Sequence, residues 1–267
     1  MKKVNLLRLL SLAALGLTLI VAGCLDISKF SDSPVQVAVA AVDQNGDPIT
    51  DAFVMLFGPA SYEASVDANG VAQFDSVEPG NYELFVYSPR GLVRSVNAPI
   101  WGGKPANFTI TVSEEHNLVF NPVFAELDGN NMPVGWHTPI WAGEAEFWVE
   151  IGTGPFGENV AVVHAPDGVD GGWGQYIPVQ RNRTYRLSGW VRAENFSRDT
   201  GFGAQYSIDE IGQSSVTPSV TGDEWIFVSS TINSGNRDSL RVLTLVGGWG
   251  KSSGTFYFTG VSLVPLN

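Results

Sequence analysis

Three tryptophans sit on glycine-flanked stretches: Ile140-Trp141-Ala142-Gly143, Gly172-Trp173-Gly174 and Gly248-Trp249-Gly250. A fourth, Trp190, belongs to the run Thr184-Tyr185-Arg186-Leu187-Ser188-Gly189-Trp190-Val191-Arg192. A strand period of two splits that run into an apolar side (Tyr185, Leu187, Gly189, Val191) and a polar, aromatic side (Arg186, Ser188, Trp190, Arg192). Flat aromatic rings stack on the C–H faces of sugar rings, and planar amide and guanidinium groups hydrogen-bond sugar hydroxyls. Gln175 lies on the segment before Trp190 and Gln205 at a comparable polar position on a later strand. The expected ligand-binding set is therefore Trp141, Trp173, Gln175, Arg186, Trp190, Arg192, Gln205 and Trp249, and the chemistry is carbohydrate recognition. A competing reading keeps the same residues for folding. Tryptophans on glycine loops also fold back as core plugs, and Trp190 could pack under a loop while the arginines pair with nearby carboxylates. Trp136 and Trp225 are expected to pack, and Trp148, in Phe147-Trp148-Val149, could face either way.

Catalysis has weaker support. A glycoside hydrolase needs two carboxylates held across one bond. The acidic residues after position 117 (among them Glu144, Glu158, Asp167, Asp170, Asp209 and Glu210) are scattered over loops and strand ends, where solvated charge is the ordinary state. His116, His137 and His164 lack metal-ligand spacing, and no nucleophile elbow or phosphate loop appears in context. A non-enzyme is expected, with no metal site.

The elements that must position these residues are strands. The chain has 267 residues, with 30 glycines and 15 prolines, and no segment carries a long helical apolar period. That composition fits short strands and many turns. The formal charge is −12, which repels phosphate backbones and argues against a nucleic-acid partner. Residues 1–23 read as an export signal: Lys2, Lys3 and Arg8 precede an uncharged apolar core, Leu9–Ala22. The segment ends in Val21-Ala22-Gly23-Cys24, which resembles the lipobox of bacterial lipoproteins. The resemblance implies cleavage before Cys24, its acylation, and a partner in the lipid bilayer. Cys24 is the only cysteine, so it serves no internal disulfide. Leu25 at the next position implies sorting to the outer membrane in a host that has two. Residues 24–34 read as a tether.

Residues 35–112 read as a small antiparallel β-sandwich. Val35, Val37, Val39 and Ala41 alternate with smaller or polar residues, and turn signals follow at Asn45-Gly46, Asn69-Gly70 and Glu78-Pro79-Gly80-Asn81. Phe53, Met55 and Phe57 continue the alternation. The spacing of V-x-V-x-A-x-D-x-x-G-x-P-I-x-D-A at 37–52, D-A-N-G-x-A-x-F at 67–74 and V-E-P-G-x-Y-x-L at 77–84 resembles the carboxypeptidase regulatory-like (transthyretin-like) sandwich, a family mostly of spacers. Trp101, in a loop, is expected to pack against the neighbouring domain. Residues 113–116 form a short linker in which His116 is expected to be solvated.

Residues 117–267 offer eight to ten short strands separated by Gly, Pro, Asn and Asp, the pattern of a jelly-roll sandwich. The order N-x-x-F at 121–124, P-x-G-W at 133–136, Q-Y-I-P-V at 175–179, T-Y-R-L-S-G-W-V-R-A-E at 184–194 and F-x-x-V-S-L at 258–263 resembles galactose-binding-like jelly rolls. More narrowly, it is similar to the carbohydrate-binding modules of bacterial polysaccharide-degrading enzymes. Those modules often hold a structural calcium through an acidic residue after the first Phe and another in an F-D-D-V stretch. Here Ala125 and Thr259-Gly260 take those places, so no calcium and no other cofactor is expected, with Glu126 and Asp128 able to compensate. The expected architecture is all-β, with an N-terminal small antiparallel β-sandwich plus a C-terminal β-jelly-roll sandwich. The expected function is that of a lipid-anchored, non-catalytic envelope protein that binds a polysaccharide or glycan. The alternative is a structural or adhesion lipoprotein that docks another envelope protein.

Overall fold

The computed structural model describes residues 32–113, 116–198, 200–209 and 217–266. The expected signal segment, Cys24, most of the tether and Glu210 fall outside the described residues. Among the described residues the architecture is all-β, with 58% in strands.

Seven strands make the first sandwich: β1 (Val35–Val42), β2 (Phe53–Phe57), β3 (Ser61–Ser65), β4 (Val71–Val77), β5 (Gly80–Tyr87), β6 (Val93–Ile100) and β7 (Ala106–Thr111). One sheet has the order β4-β1-β7 and the other β3-β2-β5-β6. β1 runs antiparallel to β4 and parallel to β7. The expected alternation holds in β1, where Val35, Val37, Val39 and Ala41 are buried. They meet Val54, Leu56, Leu84 and Val86 of the opposite sheet in one core. Two turns share a device. The Asp43 carboxylate accepts the N–H groups of Asn45 and Asp47, and Asp67 accepts those of Asn69 and Val71. These bonds hold both carboxyls below the usual carboxylate range. Gly46 and Gly70 close the turns at φ 87° and 74°.

Eight further strands form the jelly-roll sandwich: β8 (Ile140–Gly143), β9 (Glu146–Glu150), β10 (Val160–Pro178), β11 (Thr184–Arg198), β12 (Ala204–Ile208), β13 (Ile226–Asn233), β14 (Ser239–Val246) and β15 (Ser252–Pro265). The hydrogen-bonded path runs β12-β14-β10-β15-β11-β13, with β8 and β9 also paired to β10. β10 serves two layers. Its first part pairs with β9 and β15, and its second with β14 and β8. The register breaks between Ala165 and Val169, where the strand changes partners. A core of Trp173, Leu187, Val191, Tyr206, Val242, Phe256 and Phe258 lies inside the fold. Gly189 is required there, because a Cβ would stand 2.6 Å from the Tyr206 ring. The Tyr206 hydroxyl donates to the carbonyls of Trp190 (2.9 Å) and Thr259 (3.1 Å).

Two expectations about elements change. The stretch around Asn121–Phe124 and Met132–Trp136 forms turns, not strands, with Asn121, Phe124 and Asn131 at positive φ. The Asn121 side chain holds it together, donating to the carbonyls of Glu126 and Val134 and accepting from the N–H of Glu126. The second change concerns Phe53, Met55 and Phe57. They face outward from the first sandwich and join Phe85, Tyr87, Trp190, Phe227 and Val264 in a separate apolar cluster between the two sandwiches. β2 and the Leu84–Tyr87 part of β5 are apolar on both faces because both faces are covered.

That contact also has a polar centre. The Glu83 carboxylate of β5 accepts hydrogen bonds from the Arg186 guanidinium of β11 and from the Ser95 hydroxyl. Arg186 donates as well to the Ser229 hydroxyl (3.0 Å) and lies over the Phe57 ring at 4.9 Å. The Tyr87 hydroxyl donates to Glu158 at 3.3 Å. Gly260 makes room for that tyrosine, since a Cβ would stand 2.5 Å from its oxygen.

Candidate functional site

The residues expected to bind ligand divide between three places. Trp173 is 0% exposed. Its stretch is strand interior rather than loop, and alternation sends Trp173, Gln175 and Ile177 inward. Its indole N–H donates to the Val162 carbonyl (3.2 Å), and its ring meets Phe147 edge-on at 5.3 Å. Gln175 is also buried. It accepts from the Phe120 N–H (2.8 Å) and donates to the Phe120 carbonyl (2.9 Å), pinning the opening turn to β10. Both are corrections: neither side chain faces a ligand surface.

Arg186 and Trp190 are corrected for a different reason. The outer row of β11 is polar and aromatic because it meets the first sandwich. Trp190 is 8% exposed and packs edge-on against Phe53, Phe156 and Phe227. Arg192, farther along the row, pairs with Glu194 (3.2 Å) and lies over the rings of Tyr257 (4.1 Å) and Trp225 (5.4 Å). Trp136 and Trp225 pack as expected. Trp136 donates to the Asn121 carbonyl and rests on Phe124, and Trp225 meets Tyr257 edge-on. His116 is half-buried, its Nδ1 2.9 Å from the Ser113 hydroxyl, rather than solvated.

Trp141, Gln205 and Trp249 come together on the opposite layer. There the second half of β10 exposes its other side, and that side carries glycines. Pairing across β12, β14 and β10 builds rows: Gln205–Leu245–Gly172, then Ser207–Leu243–Gly174. In the next row Arg241 stands opposite Tyr176 and pairs with Asp209, just past β12. Rows of this kind stand about 7 Å apart along the strands. His137 bridges to Gly174, and its ring stacks on Tyr176 at 5.5 Å and 6°. Leu243, Leu245 and Ser207 line the floor. The result is a groove of about 320 Å³ walled by Trp141 and Trp249.

The walls are set by backbone. β8 pairs Ile140 with Gly171 and Ala142 with Asp170, which brings Trp141 beside β10. Trp141 is 48% exposed and Trp249 53% exposed. Trp249 has φ 63°, following Gly247 and Gly248 at 94° and 69°. The Asp170 carboxylate braces this loop by accepting the Gly248 N–H (3.1 Å), with the N–H groups of Gly250 and Trp249 also lowering its pKa. Asp170 is thus a positioning residue for Trp249. Gln205 Nε2 and His137 Nε2, beside the groove, are buried with no hydrogen-bond partner. Added Cβ atoms at Gly248 and Gly174 would come within 2.6 Å and 2.9 Å of them, respectively. A buried polar group without a partner is costly. Burial, and then the Arg241 charge, push the His137 imidazole below its ordinary pKa and favour its neutral form at neutral pH.

With this geometry in place, comparison with known proteins gives the following. Residues 31–128 match the family described as DR_A0283-like, Ig-like domain. No curated protein matches. Among solved structures, the enzymatically active domain of bacteriophage CBA120 tailspike protein 4 aligns at TM-score 0.42 and 12% identity, over 61% of this chain and 25% of that one. A structure titled "CBM4 structure and function" aligns at 0.38 and 16%, over 55% of this chain and 99% of that one. The CBM22-1 xylan-binding domain of Paenibacillus barcinonensis Xyn10C aligns at 0.37 and 15%, over 53% and 90%. These TM-scores lie below 0.5, and the functional reading rests on the groove itself.

Sequence reasoning missed Tyr176, His137, Arg241, Leu243 and Leu245. Two signals could have found them. Gly172-x-Gly174-x-Tyr176 is the other face of the same alternation that buries Trp173. The run Leu240–Val246 has strand composition and supplies the centre of the groove. Among the described residues, no group of three or more His, Cys, Asp or Glu side chains is gathered to hold a metal. Ala125 is exposed, and the Thr259 hydroxyl donates to the Asn159 carbonyl (2.7 Å).

Two carboxyls give a pH signature. Burial raises Asp170 against the opposing backbone N–H groups, and burial raises Glu158 against the N–H of Phe156 and the Tyr87 hydroxyl. Each holds its proton more tightly folded than unfolded. Their contribution to stability is therefore largest at low pH and falls as pH rises from about 4 through the folded values. A D170N/E158Q double variant has no such loss. Its stability relative to the wild type should rise as pH increases above about 4 in urea titrations; a gap that moves the other way contradicts the assignment.

Proposed function

We propose that this protein binds carbohydrate in the β12-β14-β10-β8 groove and performs no catalysis on it. The carrying observation is the pair of half-exposed tryptophans, Trp141 and Trp249, flanking a floor that includes Leu243, Leu245 and Ser207. Aromatic walls offer stacking surfaces, and a few convergent polar groups orient a ligand within a mostly apolar cleft. The two groove carboxylates are both committed. Asp170 holds the Trp249 loop and Asp209 pairs with Arg241, which leaves no free acid–base pair in the groove among the described residues. The reading includes export and attachment of the chain to the cell envelope through acylated Cys24. The first sandwich serves as a spacer that is also fastened to the jelly roll.

The test is affinity electrophoresis of the chain from Cys24 onward in gels containing single polysaccharides, spanning β-1,4-linked glucans, xylans, mannans and galactans. Retarded migration in at least one gel is expected, with no sugar released on incubation. Unchanged mobility in every gel, with the protein folded, removes the proposal.

A further inference from the structure

Trp101 was expected to pack against the jelly roll, yet it is 60% exposed. It opens the loop Trp101-Gly102-Gly103-Lys104-Pro105 between β6 and β7. Strand pairing places that loop in the fold. Val35 pairs with Val77 and Val37 with Ala106, while Gly80 pairs with Ile100. The start of β1, the β4–β5 turn and the 101–105 loop therefore share one end of the first sandwich. It is the end where the chain arrives from Cys24.

We propose that this end rests on a lipid bilayer, with Trp101 seated among the headgroups and Lys104 reaching lipid phosphate. Tryptophan is favoured at membrane–water interfaces, where an amphipathic ring has one apolar and one wet side. Gly103 turns the chain at φ 86°. The tether sets the distance. Residues 25–34 span at most about 35 Å when extended and roughly 17 Å as a relaxed coil, so an anchored chain holds this end close to the membrane. Glu78 and Asp32 are exposed at the same end. With those charges beside a single lysine, the contact needs no anionic lipid and is carried by the indole.

The inference rests on the anchoring reading for its source of attachment, and the experiment separates the two. The chain from Cys24 onward retains every described residue and has one cysteine, so it can be coupled to a maleimide lipid in phosphatidylcholine vesicles without natural acylation. With brominated acyl chains in those vesicles, the wild type is expected to show a quenched fluorescence component corresponding to one of its eight tryptophans. W101F is expected to lose that component, and W249F to keep it. Equal quenching in wild type and W101F overturns the proposal, as does loss of the component in W249F. Natural anchoring is read apart from this, by fatty-acid labelling and membrane fractionation of Cys24→Ser. Membrane retention of that variant sinks the anchor while leaving the vesicle result intact.

Discussion

Arg186→Ala is expected to destabilise the protein by about 3–5 kcal/mol, because it strands the Glu83 carboxylate inside the contact between the sandwiches. Both side chains of the pair are only 11% exposed. For a chain of this size the loss corresponds to roughly 6–20 °C in Tm. Glu83→Ala should cost a similar amount, since it strands the guanidinium instead. The E83L/R186M double variant should recover most of the loss, because burying two matched apolar groups avoids the desolvation cost of either charge alone. Calorimetric melting of the four proteins checks this. A single-variant loss below about 1 kcal/mol, the scale of an exposed ion pair, contradicts the buried arrangement. Carbohydrate affinity should not change in any variant that remains folded, because this pair lies on the layer opposite the groove.

The second expectation concerns the groove. Trp141→Ala and Trp249→Ala should each weaken polysaccharide binding about tenfold to a hundredfold, the loss expected when a stacked aromatic anchor of roughly 1.4–3 kcal/mol is removed. The double variant should abolish retention in affinity gels. Stability should change little, because both rings are about half exposed. Asp170→Asn should weaken binding less than removal of Trp249, since it loosens the loop that carries the ring without deleting the ring. Isothermal titration with an oligosaccharide of the retained polysaccharide measures each step. Unchanged affinity in W141A/W249A would place the ligand elsewhere.

Much of the fold was legible because it follows from alternation and turn chemistry. Val35, Val37, Val39 and Ala41 marked the first core, and Tyr185, Leu187 and Val191 marked the second. The site was legible only in part. Trp141 and Trp249 line one groove with Gln205 buried beside it, whereas the row Arg186, Trp190, Arg192 lies on the other layer. One strand's alternation shows that two faces differ but not what covers either face. Arginine and tryptophan suit a buried contact between domains as well as a sugar platform. The decisive clue lay in the partner strands. Phe53-Val54-Met55-Leu56-Phe57 and Leu84-Phe85-Val86-Tyr87 are apolar without interruption, as strands buried on both faces should be. Something had to cover their outer side, and Trp190 is part of what does. Trp173 teaches the same lesson from its neighbours. Its glycines read as a loop, but they are the outward positions of a strand whose inward positions are large.

The most direct measurement is residue-resolved tryptophan oxidation by N-bromosuccinimide, read by mass spectrometry with and without a polysaccharide that the chain retains in a gel. Trp101, Trp141 and Trp249 should react in the free protein, while Trp173 and Trp190 stay intact. Saturating polysaccharide should then protect Trp141 and Trp249 and leave Trp101 reactive. Protection that spares Trp141 and Trp249, or oxidation of Trp173 and Trp190 in the folded free protein, would contradict a carbohydrate site in this groove.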